Sequence, residues 1–207
     1  MSKNYAAIAV LVVVVFLALS TFFAIRNGSW SSLGCGEGQV SGAAIGGPFN
    51  LVDHKGQPVT DQDIITKPVL IYFGYTFCPD ICPYDVARNV EAINILDSQG
   101  YGVTPVFITI DPRRDTPQVL SDFVDNMHPQ LIGLTGTDAQ IKVASKAYKS
   151  YYKANETNGE YYLVDHSTFT YLMLPKTGFV DFFRRDETAE QIAKKTACFV
   201  DRAMHVS

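Results

Sequence analysis

The sequence predicts an α/β domain with a mainly parallel sheet, preceded by one membrane-spanning helix. Apolar runs typical of buried strands alternate with segments of helical periodicity, which predicts the parallel sheet. A long uncharged apolar run near the N-terminus predicts the membrane helix. The composition agrees with both, because 47% hydrophobic and 18% charged residues suit one globular domain plus an apolar segment.

The N-terminal apolar run, residues 5–25, contains 21 residues without a charge. At about 1.5 Å per residue it would span roughly 30 Å, the thickness of a bilayer core. A cleaved signal peptide would have a shorter apolar region and a small-residue cleavage site after it, and no such site follows the run. We therefore expect an uncleaved anchor at 5–25 after a cytoplasmic tail at 1–4, then a flexible Gly- and Ser-rich tether at 26–47 and the domain at 48–207.

Charge outside the apolar run bears on topology and partners. From Asn27 onward the chain has 15 Lys and Arg against 21 Asp and Glu, a net charge of −6. Such a domain does not suit nucleic acid and offers no broad basic patch for anionic lipid. The positive-inside count is nearly balanced, but the very short leading tail favours a cytoplasmic N-terminus with the domain on the other side of the membrane.

The predicted order of elements in the domain is β-hairpin, βαβα, β, α, β-hairpin, α. Residues 69–73 form a continuous apolar run between Pro68 and Gly74, as a buried central strand would. Apolar residues at helical spacing predict a helix over 83–99, which Gly100 can end. The other predicted strands are a hairpin in 48–59, single strands at 103–110 and 131–134, and a hairpin of 169–174 with 179–183. The other predicted helices are one with Thr116 as N-cap and Pro117 as its first residue, one from an Asp138 cap to about Tyr151, and a final one at 188–204. A polar loop at 153–160 follows the second of these helices.

Two cysteines, Cys78 and Cys82, lie between the predicted central strand and the next helix, each followed by proline. This is the layout of a thioredoxin-like domain. Because proline disfavours the helical conformation in the residue before it, we expect both cysteines in an irregular loop, with regular helix from about Pro83. Cys82 would then lie near a helix N-terminus, where the helix dipole favours a thiolate.

The residue types leave three interpretations of the cysteine pair: a structural disulfide, a redox pair or a metal site. A disulfide that closes so short a loop restrains little chain entropy. Two thiolates favour the soft ions Cu(I) or Zn(II), and structural zinc normally takes four protein ligands in a spacing that is absent here. Two sulfurs and one imidazole would suit three-coordinate Cu(I). Four histidines compete for that third position: His54, His128, His166 and His205.

Three segments in this order resemble the Sco/SenC family of membrane-anchored copper proteins: KPVLIYFGYTFCPDICPYD (67–85), IDPRRDTP (110–117) and VDHS (164–167). The resemblance extends from about Pro48 to the C-terminal helix and includes the N-terminal anchor. It implies a thioredoxin-like fold and a copper ion bound by Cys78, Cys82 and His166; we expect Cu(I), with Cu(II) as an open alternative. It further implies a role in cytochrome c oxidase assembly, with the domain on the periplasmic side of a bacterial inner membrane.

Two functions from different classes follow from this resemblance. The first is a metallochaperone that delivers copper to the dinuclear copper site of an oxidase subunit, with other copper chaperones or a membrane-side thiol reductant as further partners. The second is a thiol–disulfide reductase, in which Cys78 and Cys82 are redox-active and keep the copper-ligand cysteines of the oxidase reduced. A redox or copper sensor would use the same residues. Thioredoxins have a cis-proline that has no counterpart between Tyr162 and Thr170, which weakens the case for a general reductase.

Several neighbours are candidates for supporting roles. Asp165 could orient the other ring nitrogen of His166, and Asp80 could either offer an oxygen to Cu(II) or cap the following helix. Tyr75 and Phe77 could shield the metal or simply pack. The charged residues of 111–115 could form a rim for a partner, or a salt bridge within the loop.

The remaining two cysteines are Cys35 in the tether and Cys198 in the final helix. Cys198 falls on the polar face of that helix, and a thiol on such a face outside the cytosol favours pairing. Cys35 is its only remaining candidate partner, and we therefore expect a Cys35–Cys198 disulfide that joins the tether to the domain.

Overall fold

A computed structural model of the protein describes residues 44–155 and 161–206, together with Val13, Val15 and Cys35. The chain divides into two compact units, Met1–Cys35 and Gly36–Ser207. Val13 and Val15 are helical, and the rest of the predicted anchor, the tail and most of the tether lie outside the described residues. Within the described ranges, no helix is both long enough and apolar enough to cross a membrane.

A seven-stranded mixed sheet forms the centre of the second unit, with strand order β2-β1-β5-β4-β3-β8-β9. Its three central strands are parallel, and a hairpin lies antiparallel to them at each edge. The prediction of a parallel core with an antiparallel hairpin is therefore confirmed. The strands are β1 (Asn50–Asp53), β2 (Pro58–Thr60), β3 (Val69–Gly74), β4 (Thr104–Thr109), β5 (Ile132–Thr135), β8 (Thr170–Leu174) and β9 (Gly178–Phe183).

Every residue of β3 and β4 is buried, because both faces of a parallel core are covered in an α/β domain. The longest helices pack beside each other, α2 against α5, and α3 packs on β5. The helices are α1 (Asp61–Ile64), α2 (Ile81–Ser98), α3 (Pro117–Met127), α4 (Asp138–Ala147) and α5 (Ala189–Val206).

Helix α2 begins two residues earlier than the sequence predicts. Cys82 is in its first turn rather than in an extended loop, so that part of the prediction is wrong. Pro83 is tolerated there because it is the third helical residue, whose missing N–H would have no partner within the helix. The other end is as predicted: Gly100, at φ 86°, donates to Asp97 O at 3.0 Å in the left-handed turn that ends the helix.

Helix α4 also differs from its prediction at both ends. Thr137, not Asp138, is the N-cap: its hydroxyl accepts from the Gln140 amide, and the Gln140 side chain accepts in return from the Thr137 amide. The helix ends at Ala147, and Lys149 adopts φ 55°, which stops a helix. The expected continuation to about Tyr151 is wrong.

The segment predicted as a polar loop overlaps a strand, β6 (Tyr152–Ala154), which pairs antiparallel with β7 (Val164–His166). These two strands form a separate two-stranded sheet, in which Tyr152 lies opposite His166. We call residues 152–154 and 164–166 the histidine arm. Of the predicted loop, 156–160 lie outside the described residues.

Candidate metal centre

The two cysteines lie where β3 gives way to α2. Residues 75–80, which we call the cysteine loop, turn back so that the Cys78 amide donates to Tyr75 O at 3.2 Å. The Cys82 amide, in the first turn of α2, donates to Cys78 Sγ at 3.3 Å. Gly74 closes β3 just below, and a Cβ there would lie 3.1 Å from Cys82 Sγ. Glycine at this position lets the second sulfur approach the sheet.

His166 comes to the same place from the histidine arm. Its Nε2 lies 3.3 Å from Cys82 Sγ, and ligand atoms of Cys78, Cys82 and His166 all lie within 4.8 Å of one another. His166 Nδ1 is 2.8 Å from Ser167 O and donates to it, which leaves the Nε2 lone pair of a neutral ring facing the sulfurs. The structure thus brings together the three residues that the sequence singled out.

Two of the other histidines have structural contacts elsewhere. His54 Nδ1 accepts from the Gly133 amide at 3.3 Å, beside the first hairpin. His128 ends α3; its Nδ1 accepts from the Gln130 amide at 3.2 Å. The side chain of His205 lies outside the described residues.

The surroundings give the two sulfurs different acidities. Burial raises the pKa of Cys78, but backbone N–H donors from Cys82, Asp80 and Ile81 outweigh that effect and hold its pKa below the ordinary value. Burial raises the pKa of the fully buried Cys82 well above its ordinary value. The expectation that Cys82 is the favoured thiolate is therefore wrong, because the first amides of α2 point at the other sulfur.

The surroundings of His166 favour the neutral imidazole. Burial lowers the pKa of His166 from its ordinary value, against the opposing effect of the Ser167 carbonyl. The rings of Tyr75 and Tyr72 stand edge-on to it, with centroids 5.9 and 6.2 Å away. Tyr75 is buried and shields the site, whereas Phe77 is 55% exposed and lies beside Arg114 instead.

The structure contradicts the orienting role expected of Asp165 and the capping role considered for Asp80. Asp165 is exposed on the histidine arm, and the backbone of Ser167 holds the ring nitrogen that Asp165 was expected to orient. Asp80 occupies the N-cap position of α2, but its side chain makes no capping hydrogen bond. Local spacing suggested both roles and could not reveal which atoms the side chains reach.

A buried polar network behind Cys82 was not predicted from the sequence. The Tyr72 hydroxyl donates to Asp85 Oδ2 at 3.0 Å, and the other oxygen of Asp85 pairs with Arg185 at 3.4 Å and Arg88 at 3.7 Å. Tyr72 lies on a buried strand and the arginines are 97 residues apart. The only local signal was an acidic residue three positions after Cys82.

The 111–115 loop proves to be built largely from internal contacts. Arg114 and Asp111 form an ion pair. Asp115 is fully buried, and its carboxylate accepts from the Thr76 amide at 2.9 Å, the Thr76 hydroxyl at 2.6 Å and the Thr109 hydroxyl at 2.6 Å. This favours the salt-bridge interpretation of the loop, and it ties the loop to the start of the cysteine loop.

The four cysteines fall into two classes. Cys78 and Cys82 are free thiols. Cys35 and Cys198 are each disulfide-bonded, and which cysteine each one pairs with stays a prediction. The thiols available for metal or redox chemistry are therefore the two at the site.

Comparison with known proteins identifies the family. The family model described as SCO1/SenC matches residues 37–201. This chain belongs to the SCO1/SenC family. It is 50% identical over 196 residues to protein SenC of Rhodobacter capsulatus, a match that covers 95% of this chain and 88% of that protein. It is 42% identical over 164 residues to the mitochondrial SCO1 homolog 1 of Arabidopsis thaliana, covering 78% of this chain and about half, 49%, of that protein.

Solved structures of family members have the same fold. Arabidopsis thaliana ScoI with copper bound matches with a TM-score of 0.71 at 40% identity, covering 78% of this chain and 99% of that one. BsSco, described as having a disulfide switch and as a member of the Sco family of cytochrome c oxidase assembly proteins, matches with a TM-score of 0.65, covering 79% of this chain and 95% of that one. At 23% identity this second likeness supports the fold alone. The predicted thioredoxin-like α/β fold is confirmed.

Proposed function

We propose that this protein is a membrane-anchored metallochaperone that delivers copper to the dinuclear copper site of a cytochrome c oxidase subunit. The observation that carries the proposal is the convergence of Cys78, Cys82 and His166, with ligand atoms within 4.8 Å of one another. Two thiolates and one imidazole form a donor set that soft Cu(I) prefers. The copper-bound structure of a relative at 40% identity supports copper as the metal.

The environment of each ligand suits the uptake and release of an ion. Cys78, with its lowered pKa, is the more readily deprotonated of the two sulfurs. Burial favours the protonated thiol of Cys82, which must lose its proton when metal binds. His166 presents an unprotonated Nε2. With three protein ligands, an incoming thiolate of the partner can bind Cu(I) before a resident ligand leaves.

Anchoring and location belong to the same proposal. Residues 5–25 would cross a bacterial inner membrane once, with 1–4 in the cytoplasm, 26–47 as a tether and 48–207 in the periplasm. The uncharged apolar run supports the anchor, and the relationship to a bacterial SenC protein supports the location. Protease added to spheroplasts should remove the domain while it leaves the N-terminus protected. Protection of the domain instead would contradict this topology.

Copper titration of the reduced full-length protein in detergent tests the proposed metal site. We expect wild type to bind one equivalent of Cu(I), and Cys78→Ser, Cys82→Ser and His166→Ala each to lose stable binding. His54→Ala is the matched control, because that ring contacts the backbone at Gly133 and not the site. Wild-type affinity in His166→Ala would refute the three-ligand site. Titration with Cu(II) alongside tests whether the second oxidation state is also bound.

One observation favours a thiol–disulfide reductase as the second candidate: the thiolate-prone Cys78 lies beside a second free thiol. The Cys78 thiolate would attack a disulfide of the oxidase subunit, and Cys82 would then displace the second partner thiol and form a Cys78–Cys82 disulfide. An external dithiol would reduce that disulfide and complete the cycle. Reductase activity should survive His166→Ala, whereas copper delivery should not. A sensor would use the same residues without transferring copper or electrons to the oxidase.

A further inference from the structure

The histidine arm depends on side chains for its position against the rest of the domain. Among the described residues, β6 and β7 pair with each other and not with the main sheet. The Val164 amide donates to the Tyr75 hydroxyl at 3.3 Å, and the Tyr162 hydroxyl donates to Asp111 Oδ1 at 2.7 Å. The location of His166 therefore depends on contacts made by the residues just before it.

Arg114 lies at the centre of those contacts. Its Cζ is 3.8 Å from the centroid of the Tyr162 ring and 5.0 Å from that of Phe77. Its side chain is only 16% exposed and is paired with Asp111. Tyr162 leads into the histidine arm and Phe77 belongs to the cysteine loop, which carries Cys78. One planar cation therefore contacts both the loop and a residue just before the strand that carries His166.

Hydrogen bonding alone does not explain where this guanidinium lies. Arg114 Nη2 is buried and has no hydrogen-bond partner in the described part of the chain. Ring faces therefore supply part of its stabilisation, as cation–π contacts do when partly desolvated. Lysine could keep the charge beside Asp111 but cannot stack as a plane, so the position distinguishes between the two residue types.

The adjacent arginine has a different environment. Arg113 is 64% exposed and pairs at 3.5 Å with Asp138, at the start of α4. The two neighbouring arginines thus offer a comparison between a buried stacked cation and an exposed one.

We propose that Arg114 is a positioning residue for the metal centre. It clamps the residues that lead into the histidine arm against the cysteine loop, and so keeps His166 beside Cys82 before any metal binds. The identity of the metal rests on the function proposed above, whereas the clamp is a property of the metal-free protein. A ligand set assembled in advance binds more tightly, because the arm does not have to be ordered when the ion arrives.

Amide hydrogen exchange of the metal-free, full-length protein in detergent measures the clamp directly. In Arg114→Lys and Tyr162→Leu we expect exchange over 164–166 to accelerate by about tenfold, the factor that corresponds to a partly desolvated cation–π contact. Exchange in β3 and β4 should stay at the wild-type rate. Tyr161→Leu is the matched control for the ring, because Tyr161 is 87% exposed, and Arg113→Lys is the control for the cation. Wild-type exchange over the arm in both clamp variants would overturn the proposal.

Phe77→Ala keeps the experiment decisive if Arg114→Lys and Tyr162→Leu lose global stability. It removes only an exposed ring from the stack, so it should accelerate exchange in the cysteine loop and the arm while the sheet stays protected. Faster exchange throughout the sheet in the first two variants, combined with an unaffected arm in Phe77→Ala, would show general destabilisation and would refute the clamp.

Competition of Cu(I) with a chelator gives the second measurement. Arg114→Lys should bind one equivalent with an affinity about tenfold weaker than wild type, in proportion to the change in exchange. Wild-type affinity despite faster exchange would refute the claim that the clamp prepares the site. If wild type itself bound no copper, the proposed function would fail, and the exchange data would still decide whether the clamp exists.

Discussion

Replacement of Gly74 by alanine tests how closely the sheet and the cysteine pair are fitted together. An added Cβ would lie 2.8 Å from a ring carbon of Tyr72, 2.9 Å from a ring carbon of Phe107 and 3.1 Å from Cys82 Sγ. Carbon atoms in good contact are about 3.5–4.0 Å apart, so at least two neighbours must move. Neither ring can turn into solvent, because both are completely enclosed by the core.

The expected cost is that of forcing a methyl group into a packed interior, about 1–3 kcal/mol in the free energy of unfolding. For a domain of this size that corresponds to a fall in melting temperature of roughly 2–12 °C. Because Cys82 Sγ is among the atoms that must shift, copper affinity should fall as well.

Calorimetry or thermal circular dichroism, followed by copper titration of the same sample, checks both effects. Gly102→Ala is the matched control, since an added Cβ there meets no atom within 4 Å. A Gly74→Ala protein that melts and binds copper like wild type would refute the argument that a bare backbone is needed at the end of β3.

Three further predictions follow from the contacts around the site. Cys78 should be alkylated at a lower pH than an ordinary cysteine, because its lowered pKa gives it more thiolate, whereas the buried Cys82 should react slowly. Peptide mass spectrometry as a function of pH measures both rates, and equal rates at neutral pH would contradict the assignment. Tyr72→Phe removes a hydrogen bond to the buried Asp85 and should lower the free energy of unfolding by about 1–2 kcal/mol in urea, so that an unchanged urea midpoint would count against that bond. Asp115→Asn replaces an oxygen of a carboxylate that accepts three hydrogen bonds, and a loss of about 1–3 kcal/mol should appear in the same assay; full stability would show that the three donors find other acceptors.

The sheet could be predicted from the sequence because its signals are local. The run at 69–73, bounded by Pro68 and Gly74, reads as a buried strand without knowledge of its neighbours, and β3 is buried throughout. The Thr116 cap with Pro117 behind it marks the start of α3 in the same way. Such signals lie within a few residues of the element that they define.

The arm and the fine structure of the site could not be predicted in this way, because they depend on contacts between distant residues. Tyr152 and His166 become partners only after the chain has turned back, and the polar residues near Tyr152 hide its strand. The rule that proline disfavours a preceding helical residue misled at Cys82, because the first turn of a helix tolerates a proline whose N–H would have no partner there. His166 was selected through the resemblance to a family; the residue types alone left four candidates open.

The unequal exposure of the two sulfurs bears on the proposed transfer of copper to another protein. Cys78 is 8% exposed and Cys82 is sealed from solvent. A donor atom on another protein would therefore reach the ion first from the side of Cys78 Sγ, and Cys82 Sγ would be the last ligand to dissociate. We expect exchange to run from the surface inward, so that the ion passes between two proteins without a free hydrated stage.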